Sequence, residues 1–238
     1  MRLWYRFCRY ICWIIFTVFF RGRVFGREHV PLRNGVLLVC NHQSFLDPVL
    51  ATYGLNRECH YMARDSLFHN AFFRRLIESL NAFPIKRGSA DLSAIRESMR
   101  RLKQGALLTA FPESTRTPDG RVYAMQAGAV LIARKAGVPI VPTMILGAFE
   151  AWPRQALLPR SAPIIVAYGP PLTPEALTSM SDQEAIDRVR IEILNLMRRF
   201  RGHVNVCGGL SMVSGTAADD VVGSPSRRSV GRPAPASA

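Results

Sequence analysis

Short apolar runs alternate with amphipathic segments along most of this chain, and that alternation limits its fold more than any other feature. Residues 36–40, 59–63, 106–111, 139–146 and 163–168 read as strands, with a further short one over 24–30. Helical spacing recurs over 47–54, 68–80, 91–103, 126–136 and 182–201. In the helix over 91–103, Leu92, Ile95, Met99 and Leu102 fall on one face, and Gly105 stops it. Gly137 closes the helix over 126–136. Strands separated by helices predict an α/β fold: a central mixed sheet flanked by helices. In such sheets ligands bind at the carboxyl ends of the strands.

Two strand ends carry chemistry. The first reads Asn41-His42-Gln43-Ser44-Phe45-Leu46-Asp47. It places a histidine and an aspartate at a strand-to-helix turn. There the carboxylate can hold one imidazole nitrogen and leave the other free to take a proton from an alcohol. Ser44 fits a turn or capping role better than that of a nucleophile. The second strand end reads Phe111-Pro112-Glu113-Ser114-Thr115-Arg116-Thr117. No G-x-S-x-G elbow is present, so no serine or cysteine sits in a nucleophile-elbow motif.

These segments together resemble the glycerophospholipid acyltransferase family, which carries four ordered blocks. N-H-x-x-x-x-D is matched by Asn41, His42 and Asp47. A short apolar-plus-arginine block is placed at Phe83-Pro84-Ile85-Lys86-Arg87. F-P-E-G-T-R-S is matched by Phe111 to Thr117, and an apolar proline block by Val138-Pro139-Ile140-Val141-Pro142. The resemblance covers roughly residues 24 to 170. It implies transfer of an acyl group from a thioester of coenzyme A or acyl carrier protein to the sn-2 hydroxyl of 1-acyl-glycerol-3-phosphate. His42 would be the general base, with Asp47 fixing its tautomer. Glu113 and Arg116, with Ser114 and Thr115 between them, would hold the glycerol phosphate, joined by Lys86 and Arg87. Alternatives are a different acceptor (glycerol-3-phosphate, another lysophospholipid or a lyso-ornithine lipid) or a silent lipid-binding protein on the same fold. Two positions depart from the third block: serine replaces glycine at 114, and threonine replaces serine at 117. A serine at 114 suits a negative φ; a left-handed backbone there would be strained. Lys86 stands where an acid is frequent.

The 238 residues suffice for one good core with appendages, and a net charge of +14 attracts phosphate. No nucleic-acid motif accompanies that charge, so the expected partner is the anionic face of a membrane rather than nucleic acid. A hydrophobic fraction of 48% and a mean hydropathy of +0.08 do not suit a multi-span protein. The N-terminus supplies apolar surface. Residues 10–20 are apolar without interruption, eleven in all. That is short of the roughly twenty needed to cross a bilayer. With Arg2, Arg6, Arg9, Arg21 and Arg23 around it, the expectation for 1–23 is an interfacial helix on the cytoplasmic face. Packing on the core is the alternative. The five cysteines are scattered and odd in number, which implies no disulfide framework. Cys8 and Cys12 have no histidine or further cysteine beside them, and no metal or prosthetic group is indicated. From 202 to 238 the composition turns to Gly, Ser, Ala and Pro, which predicts a disordered tail after the 24–201 domain.

Overall fold

The computed structural model describes residues 1–85 and 91–202. The strands are β1 (Arg23–Phe25), β2 (Val36–Cys40), β3 (Cys59–Arg64), β4 (Ala82–Ile85), β5 (Leu107–Ala110), β6 (Ile140–Leu146) and β7 (Ile165–Tyr168). The helices are α1 (Leu3–Val18), α2 (Asp47–Leu50), α3 (Ala71–Ser79), α4 (Leu92–Lys103), α5 (Gly128–Ala136), α6 (Ala148–Ala151), α7 (Pro174–Thr178) and α8 (Asp182–Arg201). The architecture is α/β with a mixed sheet of seven strands in the order β1-β7-β6-β2-β5-β3-β4. Strands β2 to β6 run in one direction; β7 is antiparallel to β6, and β1 is parallel to β7.

Strand β2 is apolar at every position because both of its faces are covered. Leu37 and Val39 join a core layer with residues of α4, α5 and α8, including Leu102, Val130 and Ile186. Val36, Leu38 and Cys40 join the opposite layer with Leu50, Ala148 and Phe16. Leu37 and Leu38 are fully buried. Truncating either to alanine is expected to cost about 2–5 kcal/mol.

Several element ends differ from the sequence reading. The strand expected over 24–30 stops at Phe25, because Gly26 turns left-handed at φ 71° and a 3-10 turn follows over Arg27–His29. A Cβ at Gly26 would lie 2.1 Å from the Tyr168 carbonyl oxygen. Helix α2 ends at Leu50 rather than 54; its chain passes into turns closed by Tyr53 N–H to Val49 O and Leu55 N–H to Thr52 O. Helix α3 starts at Ala71, capped by the Asn70 side chain, which accepts the Phe73 N–H. In α4 the buried residues are Ala94, Ser98 and Leu102, with Ile95 and Met99 packed alongside. Leu92 is 59% exposed: it is the first helical residue, next to the cap Asp91. Strand β4, α6 and α7 had no counterpart in the sequence reading.

Helix α1 touches the domain along a narrow stripe. Tyr5 and Phe16 are buried, as is Phe20 just beyond the helix. The Tyr5 hydroxyl accepts the Cys59 N–H at 2.9 Å, and Arg9 donates to the Leu55 carbonyl. Trp4, Phe7, Tyr10, Ile11, Trp13, Ile14, Ile15 and Val18 are exposed. No described helix is long and apolar enough to cross a membrane. The tail proposed from composition lies, apart from Gly202, outside the described residues.

Candidate active site

The two motif segments leave adjacent strands. β2 and β5 pair in parallel from Val36↔Leu107 to Val39↔Ala110, so the turns at 41–47 and 111–117 emerge side by side at one sheet edge. The chain order places this edge at a switch point: β3 lies on the β5 side of β2, and β6 on the other side.

Asn41 fixes where β2 ends. The β2–β6 ladder stops at Cys40↔Thr143. The fully buried Asn41 side chain then continues it by donating to the Ile145 carbonyl (2.9 Å) and accepting the Ile145 N–H (2.8 Å). A side-chain amide thus replaces a backbone rung, and the main chain is released into the His42 turn.

That turn is organised around one carboxylate oxygen. Asp47 Oδ2 lies 2.8 Å from His42 Nδ1 and accepts the N–H groups of Gln43 (2.5 Å) and Ser44 (2.7 Å). Asp47 is fully buried, whereas the His42 side chain keeps about a tenth of its surface exposed. Holding Nδ1 as the donor leaves Nε2 as the nitrogen not engaged by the carboxylate. The imidazole stacks on Phe111, with ring centroids 4.5 Å apart. Ser44 is buried: its hydroxyl donates to the Trp152 carbonyl and accepts the Leu46 N–H, a turn-holding role.

The neighbouring turn clamps the histidine backbone from both sides. Glu113 Oε1 accepts the His42 N–H at 2.8 Å, and the Thr117 N–H donates to the His42 carbonyl at 2.9 Å. Glu113 Oε2 accepts the Tyr123 N–H at 3.1 Å. Arg190 of α8 in turn donates to the carbonyls of Val122 and Tyr123. Burial pushes the Glu113 carboxyl up to about 7, against the two amide hydrogen bonds, which act the other way; Asp47 nearby adds to the rise.

Ser114 and Thr115 are exposed at the mouth beside His42. Ser114 adopts φ 61°, the left-handed region in which glycine is at ease and a Cβ is strained. The Arg116 guanidinium sits over the Phe45 ring, 3.3 Å from its centroid, which holds the cation near the pair. Lys86 and Arg87 lie outside the described residues. The structure therefore brings together His42, Asp47, Glu113, Ser114, Thr115 and Arg116. It adds Phe45, Phe111 and Tyr123, for which the sequence reading assigned no role. Phe45 and Phe111 stood inside the quoted motifs, whereas nothing marked Tyr123. Among the described residues, no group of three or more His, Cys, Asp or Glu side chains could hold a metal ion.

Fold and site together define an α/β enzyme with a histidine–carboxylate pair at the strand carboxyl ends. Residues 21–146 match the Acyltransferase family, and the chain belongs to that family: it is an acyltransferase. It is 30% identical over 144 residues to the 1-acyl-sn-glycerol-3-phosphate acyltransferase of Bacillus subtilis, covering 60% of this chain and 71% of that protein. A protein of the same description from Cocos nucifera is 32% identical over 139 residues, covering 57% and 45%. The chloroplastic BAT2 enzyme of Brassica napus is 30% identical over 138 residues, covering 57% and 40%. The chain thus spans less than half the length of these plant relatives. The fold is similar to the crystal structure of the 1-acyl-sn-glycerophosphate (LPA) acyltransferase PlsC from Thermotoga maritima. The TM-score is 0.67 at 24% identity, over 84% of each chain.

Proposed function

We propose that this acyltransferase moves a fatty acyl group from an acyl thioester to the sn-2 hydroxyl of 1-acyl-glycerol-3-phosphate, giving phosphatidic acid. The observation that carries the reading is the His42 Nδ1–Asp47 Oδ2 contact of 2.8 Å at a partly open mouth. Nε2 takes the proton of the acceptor hydroxyl, whose oxygen attacks the thioester carbonyl. The tetrahedral intermediate expels the thiolate, which leaves as the thiol once the imidazolium returns the proton. Asp47 faces the imidazolium while it exists. Arg116 takes the acceptor phosphate, supported by the exposed hydroxyls of Ser114 and Thr115 and by Lys86 and Arg87 from the second block. Glu113 completes that side of the site. The 1-acyl-sn-glycerol-3-phosphate acyltransferases to which the chain is similar support this acceptor, and coenzyme A or acyl carrier protein is the expected carrier of the thioester. The exposed apolar length of α1, with its arginines, supports association with the membrane that contains the acceptor.

The test is thiol release by purified protein, with palmitoyl or oleoyl thioesters and a panel of acceptors: 1-acyl-glycerol-3-phosphate, glycerol-3-phosphate, other lysophospholipids and a lyso-ornithine lipid. Release is expected with 1-acyl-glycerol-3-phosphate, falling about 10²–10⁴-fold in His42→Ala. Release with another acceptor alone would reassign the substrate, and an unimpaired His42→Ala would remove the histidine as base.

A further inference from the structure

The segment between α6 and β7 is tied at both ends to elements already described. At its start, the Trp152 carbonyl accepts the Ser44 hydroxyl of the His42 turn (2.9 Å), and the Trp152 ring lies 5.3 Å from that of Phe45. At its end, the Ser161 hydroxyl donates to the carbonyl of Phe19, just past α1 (2.7 Å), and the Ile164 N–H donates to that of Phe20 (3.1 Å). Internal bonds hold the stretch between them. The Trp152 indole N–H donates to the Ala156 carbonyl, and the Arg160 N–H to that of Ala151. Yet Leu157 and Leu158 stand 89% and 75% exposed.

A single exposed leucine needs no account. Two adjacent ones on a tied loop, three residues along the chain from the contact with Phe19, form a patch. Phe19 and Val18 are themselves exposed, as is Phe45 at the other tie. The apolar surface thus follows the chain contacts from the end of α1, through the loop, to the histidine turn. Charge selects the occupant. Arg154 and Arg160 are exposed in a stretch with no Asp or Glu from Ala151 to Thr173; Glu150, just before it, presents its carbonyl to the Arg160 side chain. No Asp or Glu occurs from Met1 to Arg27 either, a stretch with six arginines. Leucines flanked by exposed arginines match an anionic bilayer, with acyl chains beneath phosphate headgroups.

We propose that residues 152–161 form a second membrane contact. Leu157 and Leu158 enter the acyl-chain boundary of an anionic bilayer, Arg154 and Arg160 meet its phosphates, and the His42 mouth is thereby held at the lipid surface. This rests on the reading of the protein as an enzyme acting on a membrane lipid, but its test does not require turnover.

The full chain and the variant L157S/L158S are compared by co-sedimentation with vesicles of 30 mol% phosphatidylglycerol in phosphatidylcholine. The lipid concentration is set so that about half of the wild type is bound. Both substitutions lie at exposed positions, and matched melting temperatures show that the variant is folded. L92S, at another exposed leucine, serves as the control. The variant is expected to partition roughly ten-fold more weakly, from loss of part of the burial of two leucines, while L92S is unchanged. Partition equal to wild type, or equal losses in both variants, would overturn the proposal. Thiol release measured separately decides the enzymatic reading: an inactive wild type that still needs Leu157 and Leu158 for vesicles leaves the membrane contact standing.

Discussion

Replacing Asp47 by asparagine removes one charge and hardly moves an atom. An amide oxygen in the place of Oδ2 still accepts from His42 Nδ1, Gln43 N–H and Ser44 N–H. The amide nitrogen takes the place of Oδ1, which is buried without a hydrogen-bond partner and so loses no bond. Its N–H donors meet no acceptor there among the described residues, so folding stability should fall by about 1–3 kcal/mol, less than in the alanine variant. What is lost is the negative charge facing the imidazolium that forms when His42 takes a proton. With charge centres about 4 Å apart and an effective dielectric near 20, that attraction is about 4 kcal/mol, or on the order of 10³ in rate. The amide dipole recovers part of it, so the expected fall in kcat is roughly 10²–10³-fold. Asp47→Ala differs in kind. It strands two buried backbone N–H groups at about 1–3 kcal/mol each and should lower the melting temperature sharply. The assay is thiol release at saturating substrates, read beside a thermal melt of each variant. If Asp47→Asn keeps kcat within about three-fold of wild type while Asp47→Ala loses activity only in step with its stability, then Asp47 merely holds the turn, and the electrostatic reasoning fails.

Two further outcomes follow from the neighbouring turn. Ser114→Gly relieves a side chain held at φ 61°. The relief of about 1–2 kcal/mol exceeds the extra chain entropy of glycine, so the melting temperature should rise by about 1–3 °C; a fall would show that the serine side chain makes a compensating interaction. Glu113 carries the pH dependence. Its folded value of about 7 lies above the ordinary 4.5, so the native state binds the extra proton between those limits, and stability falls as pH rises through that window. Wild type should lose about 3 kcal/mol relative to Glu113→Gln between pH 4.5 and 8 in denaturant titrations. A constant difference would mean that the Glu113 carboxyl titrates alike in the folded and unfolded states.

The sequence was most informative where the cause is local. An unbroken apolar run marks β2 because a strand covered on both faces has no polar side to display. The histidine and aspartate five positions apart are joined by a short turn, and the His42–Asp47 contact was accordingly legible. Helix α8 begins and ends where its spacing placed it, and the structure adds the Ser181 cap. The role of Glu113 was less legible. Its hydrogen bond to the His42 N–H spans 71 residues and exists because β2 and β5 pair in one register. The role of Asn41 rests on a partner 104 residues away, the Ile145 carbonyl to which its amide donates. Leu92 lies on the predicted face yet is exposed at the first helical residue, because periodicity identifies a face without saying how far along it burial extends. Ser114 needed a backbone angle, which depends on how the turn packs beside its neighbour rather than on the residue itself.

By itself, then, the chain determined most of the strands and helices, though not β4, α6 or α7, together with the turn that bears the histidine and carboxylate and the surface that is apolar and basic. Those properties follow from side-chain chemistry over a few residues. Only the tertiary structure decided the strand order, the clamping of the His42 backbone by Glu113 and Thr117, the stacking on Phe111 and the tie between the 152–161 loop and α1. Each of these joins residues far apart in sequence, and their meeting is set by strand pairing and core packing, which no local pattern encodes.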